Sequence, residues 1–326
     1  MIHARLRDRV FFCAPGEWNL HRCAACGTGY LDPRPDVTTI GLAYAHYFTH
    51  GAAGDPKQGQ PSAWRRHRMA QRNAYLNQQY RYDLSPAAPR PPRWLSTDRR
   101  QRWDKYVGFL NWPGTGARLL DVGCANGGFM LQMRAAGWEA AGVEPDPKSA
   151  AQAKAAGLDV RAGLLEANMF PEAHFDAVTL NHVIEHLHDP IDTLRHCFSQ
   201  LKPGGVISIA TPNLASYGHS LFGGDWFALD PPRHLVLFTP DSLRLALKAS
   251  GFAPEPALRL RIVSKNIFRR SMHVQNGSDP MREKPALSLA TRWKAAWLSG
   301  RADRMTWARP ELTEELVQLA RRPVPS

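Results

Sequence analysis

A run of small residues that follows an apolar segment is the part of the sequence best suited to hold a ligand. The apolar pair at 119–120 leads into Asp121, and small residues then come at alternate positions, Gly123, Ala125 and Gly127. Such residues let backbone N–H groups approach a ligand closely, and the start of a helix favours negative charge there. We therefore predict a buried strand, a turn and a helix that together bind a nucleotide-like ligand.

A carboxylate follows where such a ligand needs one. Residues 128–137 are predicted to form a helix closed by Gly137, and residues 139–143 form a short strand that ends in Glu144. Two neighbouring hydroxyls on a ribose suit a carboxylate that accepts two hydrogen bonds. We therefore predict that Glu144 binds a ribose.

Two later segments continue this alternation of strands and turns. Residues 177–180 are apolar and run into the polar stretch 181–190, and residues 201–205 form a Pro-Gly-Gly turn before another buried strand. In this order the motifs D-x-G-x-A-x-G, an acidic second strand, FDxVxxxxVxEHxxDP and LKPGG closely resemble those of class I S-adenosyl-L-methionine (SAM) methyltransferases. The resemblance covers about residues 100–322. It implies an α/β, Rossmann-like fold with a seven-stranded, mostly parallel sheet whose last strand is antiparallel.

The resemblance also implies SAM as the cofactor and gives roles to single residues. Asp121 would orient the turn and the methionine end of SAM, and Glu144 would take the ribose hydroxyls. Ala125 replaces the usual middle glycine of the family, so we expect its backbone to lie in the ordinary region with negative φ. The other cofactor residues implied are Gly123 and Gly127 of the turn, Leu164 and Leu165 beside adenine, and Asn181 and His182 at the end of the fourth strand.

Three histidines are candidates for the base that a hydroxyl or carbon acceptor needs, because histidine titrates near neutral pH. His234 is the first choice, since it lies in an aromatic-rich insertion, residues 211–240, past the end of a predicted parallel strand, where ligands bind in open α/β sheets. His182 and His186 follow. These two also form an H-x-x-E-H string, the zinc signature of inverzincin peptidases. His182 comes directly off a buried strand rather than from a long helix, which disfavours a peptidase.

Cysteines near the start of the chain indicate a second candidate ligand, zinc. Cys23 and Cys26 form a knuckle-like C-x-x-C turn, and Cys13 lies ten positions before Cys23. Three thiolates could hold a tetrahedral zinc ion, but a full ribbon would show two C-x-x-C pairs, so a metal-free hairpin is the alternative. The LDPRP sequence at 31–35 is similar to the end of small units that precede methyltransferase domains. The candidates for a fourth ligand are His3, His21, His46 and His50.

The chain is expected to divide into three parts. Residues 1–50 form the cysteine-containing unit, 51–95 a helix and a Pro-rich linker, and 96–322 the methyltransferase domain. Residues 266–308 are basic and weakly patterned. The other predicted elements are helices over 62–82, 96–111 and 240–249, a sixth strand over 255–263, and a last strand over 315–323, for which a helix continuing from Glu311 is the alternative.

Composition supports a folded, basic protein without selecting its partner. The chain has 326 residues, is 44% hydrophobic and carries a net charge of +12. Such a charge is compatible with nucleic acid, an anionic membrane or a phosphorylated small substrate, and the arginines over 65–102 are scattered rather than clustered. The start lacks an apolar secretory segment, and no apolar run reaches the roughly 20 residues of a membrane span. With five cysteines, these features predict a cytoplasmic protein.

These observations predict a transferase that moves a methyl group from SAM to a small-molecule acceptor. Sugar nucleotides, polysaccharide precursors and secondary metabolites are the acceptor classes considered. An rRNA or tRNA methyltransferase is the alternative, because the basic charge and the possible zinc unit resemble some enzymes of that kind. A SAM-binding module without turnover is a lesser alternative.

Overall fold

The structure, a computed structural model, describes residues 1–44, 62–258, 264–281 and 287–325. His46 and His50, two candidates for a zinc ligand, lie outside these residues. None of the helices in the described ranges combines the length and apolar character that crossing a bilayer requires.

The described residues form strands and helices that are numbered in chain order. The strands are β1 (His3–Leu6), β2 (Trp18–Arg22), β3 (Gly29–Asp32), β4 (Arg118–Val122), β5 (Glu139–Glu144), β6 (Asp159–Ala162), β7 (Phe175–Asn181), β8 (Leu201–Pro212), β9 (Val236–Leu237), β10 (Ala253–Pro254) and β11 (Glu315–Arg321). The α-helices are α1 (Ala63–Tyr80), α2 (Thr97–Tyr106), α3 (Gly128–Ala135), α4 (Pro147–Ala155), α5 (Pro190–Gln200), α6 (Tyr217–Phe222), α7 (Pro240–Ala249), α8 (Lys265–Gln275) and α9 (Leu289–Ala308).

Seven strands form the main sheet, in the order β10-β11-β8-β7-β4-β5-β6. Strands β4 to β8 run parallel to one another, and β11 is antiparallel to both β8 and β10. Leu119, Leu120 and Leu180 on the central strands are fully buried, because helices cover both faces of a parallel sheet. The predicted α/β, Rossmann-like seven-stranded fold is confirmed.

For the last element of the chain, the sequence predicted a strand over 315–323, with a helix continuing from Glu311 as the alternative. Glu315 to Arg321 pairs residue by residue with β8, so the strand is confirmed and the helical alternative is wrong. The sixth strand is shorter and earlier than predicted, at Ala253–Pro254, and residues 255–258 lie in no strand. Pro254 and Pro256 lack the N–H group that a longer ladder would need. The rest of the predicted strand, 259–263, lies outside the described residues.

Capping side chains explain where the predicted helices begin and end. Ser62 and Ser96 cap α1 and α2 at their N-termini, and Thr239 forms a capping box at α7. Helix α3 is closed by Gly137, which has a φ of 99°. Helix α2 ends before the predicted residue 111, because Gly108 and Phe109 both adopt positive φ.

A second sheet joins the N-terminal unit to the insertion. Its order is β1-β2-β3-β9, all antiparallel, and β9 comes from residues 236–237 within the predicted insertion. Gly29 of β3 faces Leu214, and a Cβ there would lie 2.9 Å from Leu214 Cδ2. A small residue is therefore needed where the two segments meet.

A buried ion cluster ties the same two segments together. The Arg233 guanidinium is fully buried, and its Nη2 lies 2.6 Å from Asp8 Oδ1 and 2.5 Å from Asp230 Oδ1. It also donates to the Ala43 carbonyl at 3.0 Å and stacks over Phe11. Both carboxylates thus neutralise one buried cation, which fixes the insertion against the N-terminal unit.

Residues 266–308, expected to be weakly patterned, contain α8 and α9. The two helices contact each other through an apolar cluster that also includes Trp226 of the insertion. This cluster also contains Leu20 and Leu31 of the second sheet, so the two helices, the sheet and the insertion share one apolar core.

Candidate cofactor and acceptor site

The predicted ligand turn connects β4 to α3 and is held against β5. The N–H groups of Gly123 and Cys124 donate to the Val143 carbonyl at 2.8 and 3.1 Å. Asp121 is buried before the turn and accepts a hydrogen bond from Thr179 Oγ1 at 2.6 Å. The turn therefore joins three neighbouring strands, β4, β5 and β7.

The backbone of the turn is left-handed at every second residue. Gly123, Ala125 and Gly127 have φ values of 70°, 49° and 81°. The expectation of an ordinary backbone at Ala125 is wrong. Its N–H donates to Glu144 Oε2 at 2.7 Å, and this bond holds the alanine in the conformation that glycine would adopt freely.

The two glycines of the turn are needed for space as well as for φ. A Cβ on Gly127 would lie 2.2 Å from Leu158 Cδ1, and one on Gly123 would lie 2.5 Å from Val183 Cγ2. Val183 follows His182, so the second contact also shows that the turn after β7 packs directly on the ligand turn.

Glu144 lies beside the turn, as the ribose prediction requires. Its side chain is buried, Oε2 accepts from Ala125 N, and Oε1 accepts from Asp146 N at 2.8 Å. Burial raises the pKa of Glu144, and the two backbone hydrogen bonds act to lower it. Each carboxylate oxygen can accept a further bond, so both hydroxyls of a ribose can be bound.

Asp121 has a carboxyl group whose charge is sensitive to its surroundings. Burial raises its pKa to about 7, the bond from Thr179 lowers it, and the charge of Glu144 raises it. A cation next to Asp121 would favour the ionised form. Both the ammonium and the sulfonium of SAM are positively charged.

The other predicted cofactor residues lie at the same edge of the sheet. Leu164 is 55% exposed, whereas Leu165 is buried and its carbonyl accepts from His196 Nδ1 at 3.2 Å. Asn181 is exposed at the end of β7, and His182 follows it with a φ of 55°. Their contacts with a cofactor stay predictions.

His182 lies between two buried carboxylates. Its Nε2 is 3.0 Å from Glu315 Oε1, and its Nδ1 is 3.4 Å from Glu185 Oε1. Desolvation acts to lower the pKa of His182, but bonding to both glutamates and their charges raise it to about 10. Lys105 also pairs with Glu315. At neutral pH the imidazole is therefore a cation, although its side chain stays 54% exposed.

The predicted histidines all gather around Glu185. His186 and His234 lie with ring centroids 4.7 Å apart, and their ligand atoms and that of Glu185 lie within 4.8 Å of one another. His234 Nδ1 donates to the Ala228 carbonyl at 2.8 Å, and the residue is 8% exposed. Burial and the charge of His234 lower the pKa of His186 to about 4. His186 is therefore neutral and bonds the Arg233 carbonyl at 2.9 Å.

Two members of this cluster were missed by sequence reasoning. Glu185 lies inside the H-x-x-E-H string, but that string gave no sign of the carboxylate's contact with His182. Glu315 lies on the last strand, and only the pairing of β11 with β8 brings it next to His182. A predicted strand order that places the last strand, β11, next to β8 would have indicated that Glu315 lies near His182.

Of the three cysteines predicted to bind zinc, Cys23 and Cys26 contact each other, and Cys13 does not join them in one ligand group. Cys23 and Cys26 lie at the turn between β2 and β3, where N–H groups of Cys26 and Ala25 lower the pKa of Cys23. The Cys13 thiol donates to the Ala43 carbonyl at 3.0 Å, and Arg233 Nη1 lies 3.7 Å from its sulfur. A guanidinium at that distance opposes a metal cation.

The remaining zinc candidates in the described ranges also have other partners. His3 Nε2 contacts His219 Nε2 at 2.9 Å, and His21 stacks on Tyr30. Across the described residues, the group of three or more potential ligands that comes close enough for one ion is Glu185, His186 and His234, and it includes no thiol.

Comparison with known proteins agrees with this geometry. The profile of a methyltransferase domain family matches residues 94–256, half of the chain. The ubiquinone biosynthesis O-methyltransferases of Cereibacter sphaeroides and Ruegeria pomeroyi are 32% and 31% identical to it over 154 residues, which are 44% of this chain and 62% of each relative. The chain thus matches less than two thirds of the length of these curated relatives.

A solved structure shows a more distant likeness. A SAM-dependent methyltransferase from Mesorhizobium loti is 19% identical, with a TM-score of 0.46 over 70% of this chain and all of that chain. The matched family, the left-handed turn and the carboxylate beside it lead to one conclusion. The chain belongs to the class I SAM-dependent methyltransferase family.

Proposed function

We propose that this protein methylates an oxygen atom of a small-molecule acceptor, with SAM as the methyl donor. The observation that carries the proposal is the unit formed by the turn and Glu144, in which Ala125 N donates to Glu144 Oε2 at 2.7 Å. Oxygen is favoured as the acceptor atom because relatives over the matched region are O-methyltransferases. Ubiquinone precursors are therefore the first acceptors to test, alongside sugar nucleotides, polysaccharide precursors and secondary metabolites.

SAM supplies an electrophilic methyl group, so the protein's task is to position the acceptor oxygen in line with it. Val183 packs on Gly123, which places the turn that carries His182 next to the cofactor turn. His182 is exposed and cationic there. We propose that the acceptor hydroxyl loses its proton to solvent, and that the imidazolium of His182 stabilises the resulting oxyanion until it takes the methyl group.

The role of His234 as a base stays a prediction. Its ring is buried and hydrogen-bonded to the insertion backbone, which also suits a residue that shapes the acceptor pocket. A His234→Asn variant separates these roles on the true acceptor. Full turnover with unchanged SAM affinity would reject the catalytic role.

Zinc binding by Cys13, Cys23 and Cys26 also stays a prediction. Metal analysis of protein purified without chelator tests it, and less than about 0.2 zinc per chain would reject it. If zinc is present, its loss in Cys23→Ser but not in His234→Gln would assign it to the thiols. The five cysteines form no disulfide with one another, which suits a reducing compartment, and we propose the cytoplasm.

The proposed function is tested with labelled SAM and a panel of acceptors. We expect transfer to a hydroxyl compound, with the methyl group removable by ether cleavage and not bound to nitrogen. SAM binding without turnover on any acceptor would support a non-catalytic module instead. Transfer to RNA, with retention that weakens steeply as salt rises, would support the RNA alternative.

A further inference from the structure

One side of α9 carries large apolar side chains that lie in solvent. Leu289, Trp293 and Trp297 follow one another at intervals of four residues and are 73%, 76% and 61% exposed. Residues at this spacing lie on one face of a helix, one turn apart. They therefore form a continuous apolar stripe rather than scattered exposed residues. We refer to Leu289, Trp293 and Trp297 as the tryptophan stripe.

The opposite side of α9 is fixed to the fold. Ala295, Leu298 and Ala302 are buried and belong to the apolar cluster that includes Phe268 and Met272 of α8. The helix is thus apolar on two sides, and the protein covers one of them. Three large apolar side chains exposed on the other side would lower the solubility of the protein unless a binding partner covered them.

Positive charge borders the tryptophan stripe. Arg292, Lys294, Arg301 and Arg304 lie along α9, and Asp303 is its single acidic residue. The guanidinium of Arg301 lies 5.9 Å from the ring centre of Trp297. The surface therefore combines tryptophan rings with more basic than acidic side chains. A matching partner should have an apolar interior covered by a negatively charged layer.

We propose that α9 docks this protein on the surface of a membrane that contains anionic lipids. Tryptophan is favoured at the boundary between lipid headgroups and acyl chains, and arginine and lysine bind lipid phosphates just above it. A helix of 20 residues is about 30 Å long, so α9 would lie flat with the tryptophan stripe in the boundary. This mode needs no membrane span and does not depend on which acceptor is methylated.

The shape of the surface favours lipid over RNA as the partner. Single-stranded RNA is held by aromatic platforms inside a basic groove that follows the backbone. The tryptophan stripe lies instead on the outside of one helix, and Leu289 has no flat face on which a base could stack. A flat bilayer surface can contact all three side chains at once.

Vesicle flotation with the full chain tests the proposal. The probes are vesicles of phosphatidylcholine alone and vesicles of equal parts phosphatidylglycerol and phosphatidylcholine. We expect binding to the mixed vesicles, weak binding to the neutral ones, and release at high salt. Trp293→Ala combined with Trp297→Ala should weaken binding by roughly tenfold or more. Arg301→Gln combined with Arg304→Gln should also weaken it by roughly tenfold.

The matched control is Trp94→Ala, which removes a tryptophan that is 92% exposed but lies outside α9. It should bind the mixed vesicles like the unaltered chain. All variants should keep the same SAM affinity and melting temperature, because the changed side chains are exposed. The proposal is wrong if the unaltered chain floats with neither vesicle, or if the double tryptophan variant binds equally well. Binding to a single-stranded RNA oligomer through these tryptophans, without vesicle binding, would assign the surface to nucleic acid.

Discussion

The N–H of Ala125 and the carboxylate of Glu144 are 2.7 Å apart, and this bond makes the predicted cofactor turn and the residue predicted to bind ribose one unit. The alanine adopts a positive φ in making it. A change at either partner should therefore affect the shape of the turn as well as the contact with SAM.

Glu144→Gln should weaken SAM binding by roughly 10- to 100-fold, because a neutral amide replaces an acceptor of charge-assisted hydrogen bonds. Titration calorimetry measures this. Glu139→Gln is the control, since Glu139 lies on the same strand but is exposed and pairs with Arg118. Equal SAM affinity in the two variants would reject the ribose role of Glu144.

Gly127→Ala should abolish SAM binding and lower the free energy of unfolding by about 2–3 kcal/mol, because the new Cβ meets Leu158. Gly157→Ala measures the free-energy cost of placing an alanine at a positive φ without a steric contact. Its φ is 74° and no atom lies within 4 Å of the added Cβ, so we expect a loss of only about 1 kcal/mol. Urea unfolding of both variants checks the difference, and similar losses would show that steric contact is unimportant.

SAM affinity should rise with pH through about 7, where Asp121 ionises in the free protein. Below this pH the carboxyl must lose a proton before it can attract the cationic cofactor, and above it this cost disappears. Asp121→Asn should bind weakly with a flat pH profile. Thr179→Val removes the hydrogen bond that lowers this pKa, so the rise should move to higher pH. An unmoved profile would contradict the assignment.

The same carboxyl group should make the stability of the fold decrease with rising pH, whereas SAM affinity increases. The pKa of Asp121 is raised from 3.8 to about 7, so the folded state binds a proton that the unfolded state has released over this range. This contribution to stability is present at low pH and is lost as the pH rises to 7.

His182→Gln should lower kcat by roughly 10²–10³-fold, because a cation at the acceptor oxygen is lost. In Glu315→Gln the pKa of His182 should fall, and turnover should then decline as the pH rises past it. A purely structural role would leave the pH profile unmoved. His188→Gln, in the same turn but bonded to the Pro35 carbonyl, is the control and should turn over normally.

Asp8→Ala should destabilise the protein by about 3–5 kcal/mol, since it leaves the buried Arg233 with one carboxylate fewer. Glu17→Ala removes the partner of Arg7 in an exposed pair and should cost less than about 1 kcal/mol. Denaturant unfolding compares the two. Equal losses would mean that the buried cluster does not hold the insertion in place.

Local signals in the sequence were enough to predict the candidate cofactor turn and a carboxylate beside it, both of which the structure contains. Asp121 and Glu144 lie at the ends of neighbouring strands and Gly127 precedes the helix between them, so their spacing reflects one strand, one turn and one helix. The seven-stranded fold with an antiparallel last strand followed from the family resemblance that these motifs carry. The φ of Ala125 did not follow, because it depends on a hydrogen bond to a side chain on the next strand.

The proposed acceptor half of the site depends on contacts between residues that are distant in sequence. Glu315 reaches His182 from a strand 133 positions later, and Asp8 reaches Arg233 across 225 positions. No period or local motif encodes such pairs. The charge of His182 could not be predicted for the same reason, since it is set by neighbours that only the folded sheet supplies.

Strand β11 lies inside the sheet, between β8 and β10, although it comes long after the matched methyltransferase segment ends at residue 256. A truncated protein that covers only residues 94–256 would expose the long, apolar edge of β8, whose unpaired N–H and C=O groups can recruit a strand from another molecule. It would also deprive β9 of its partner β3. We therefore expect such a fragment to aggregate, and a useful expression boundary has to include both His3 and Arg321.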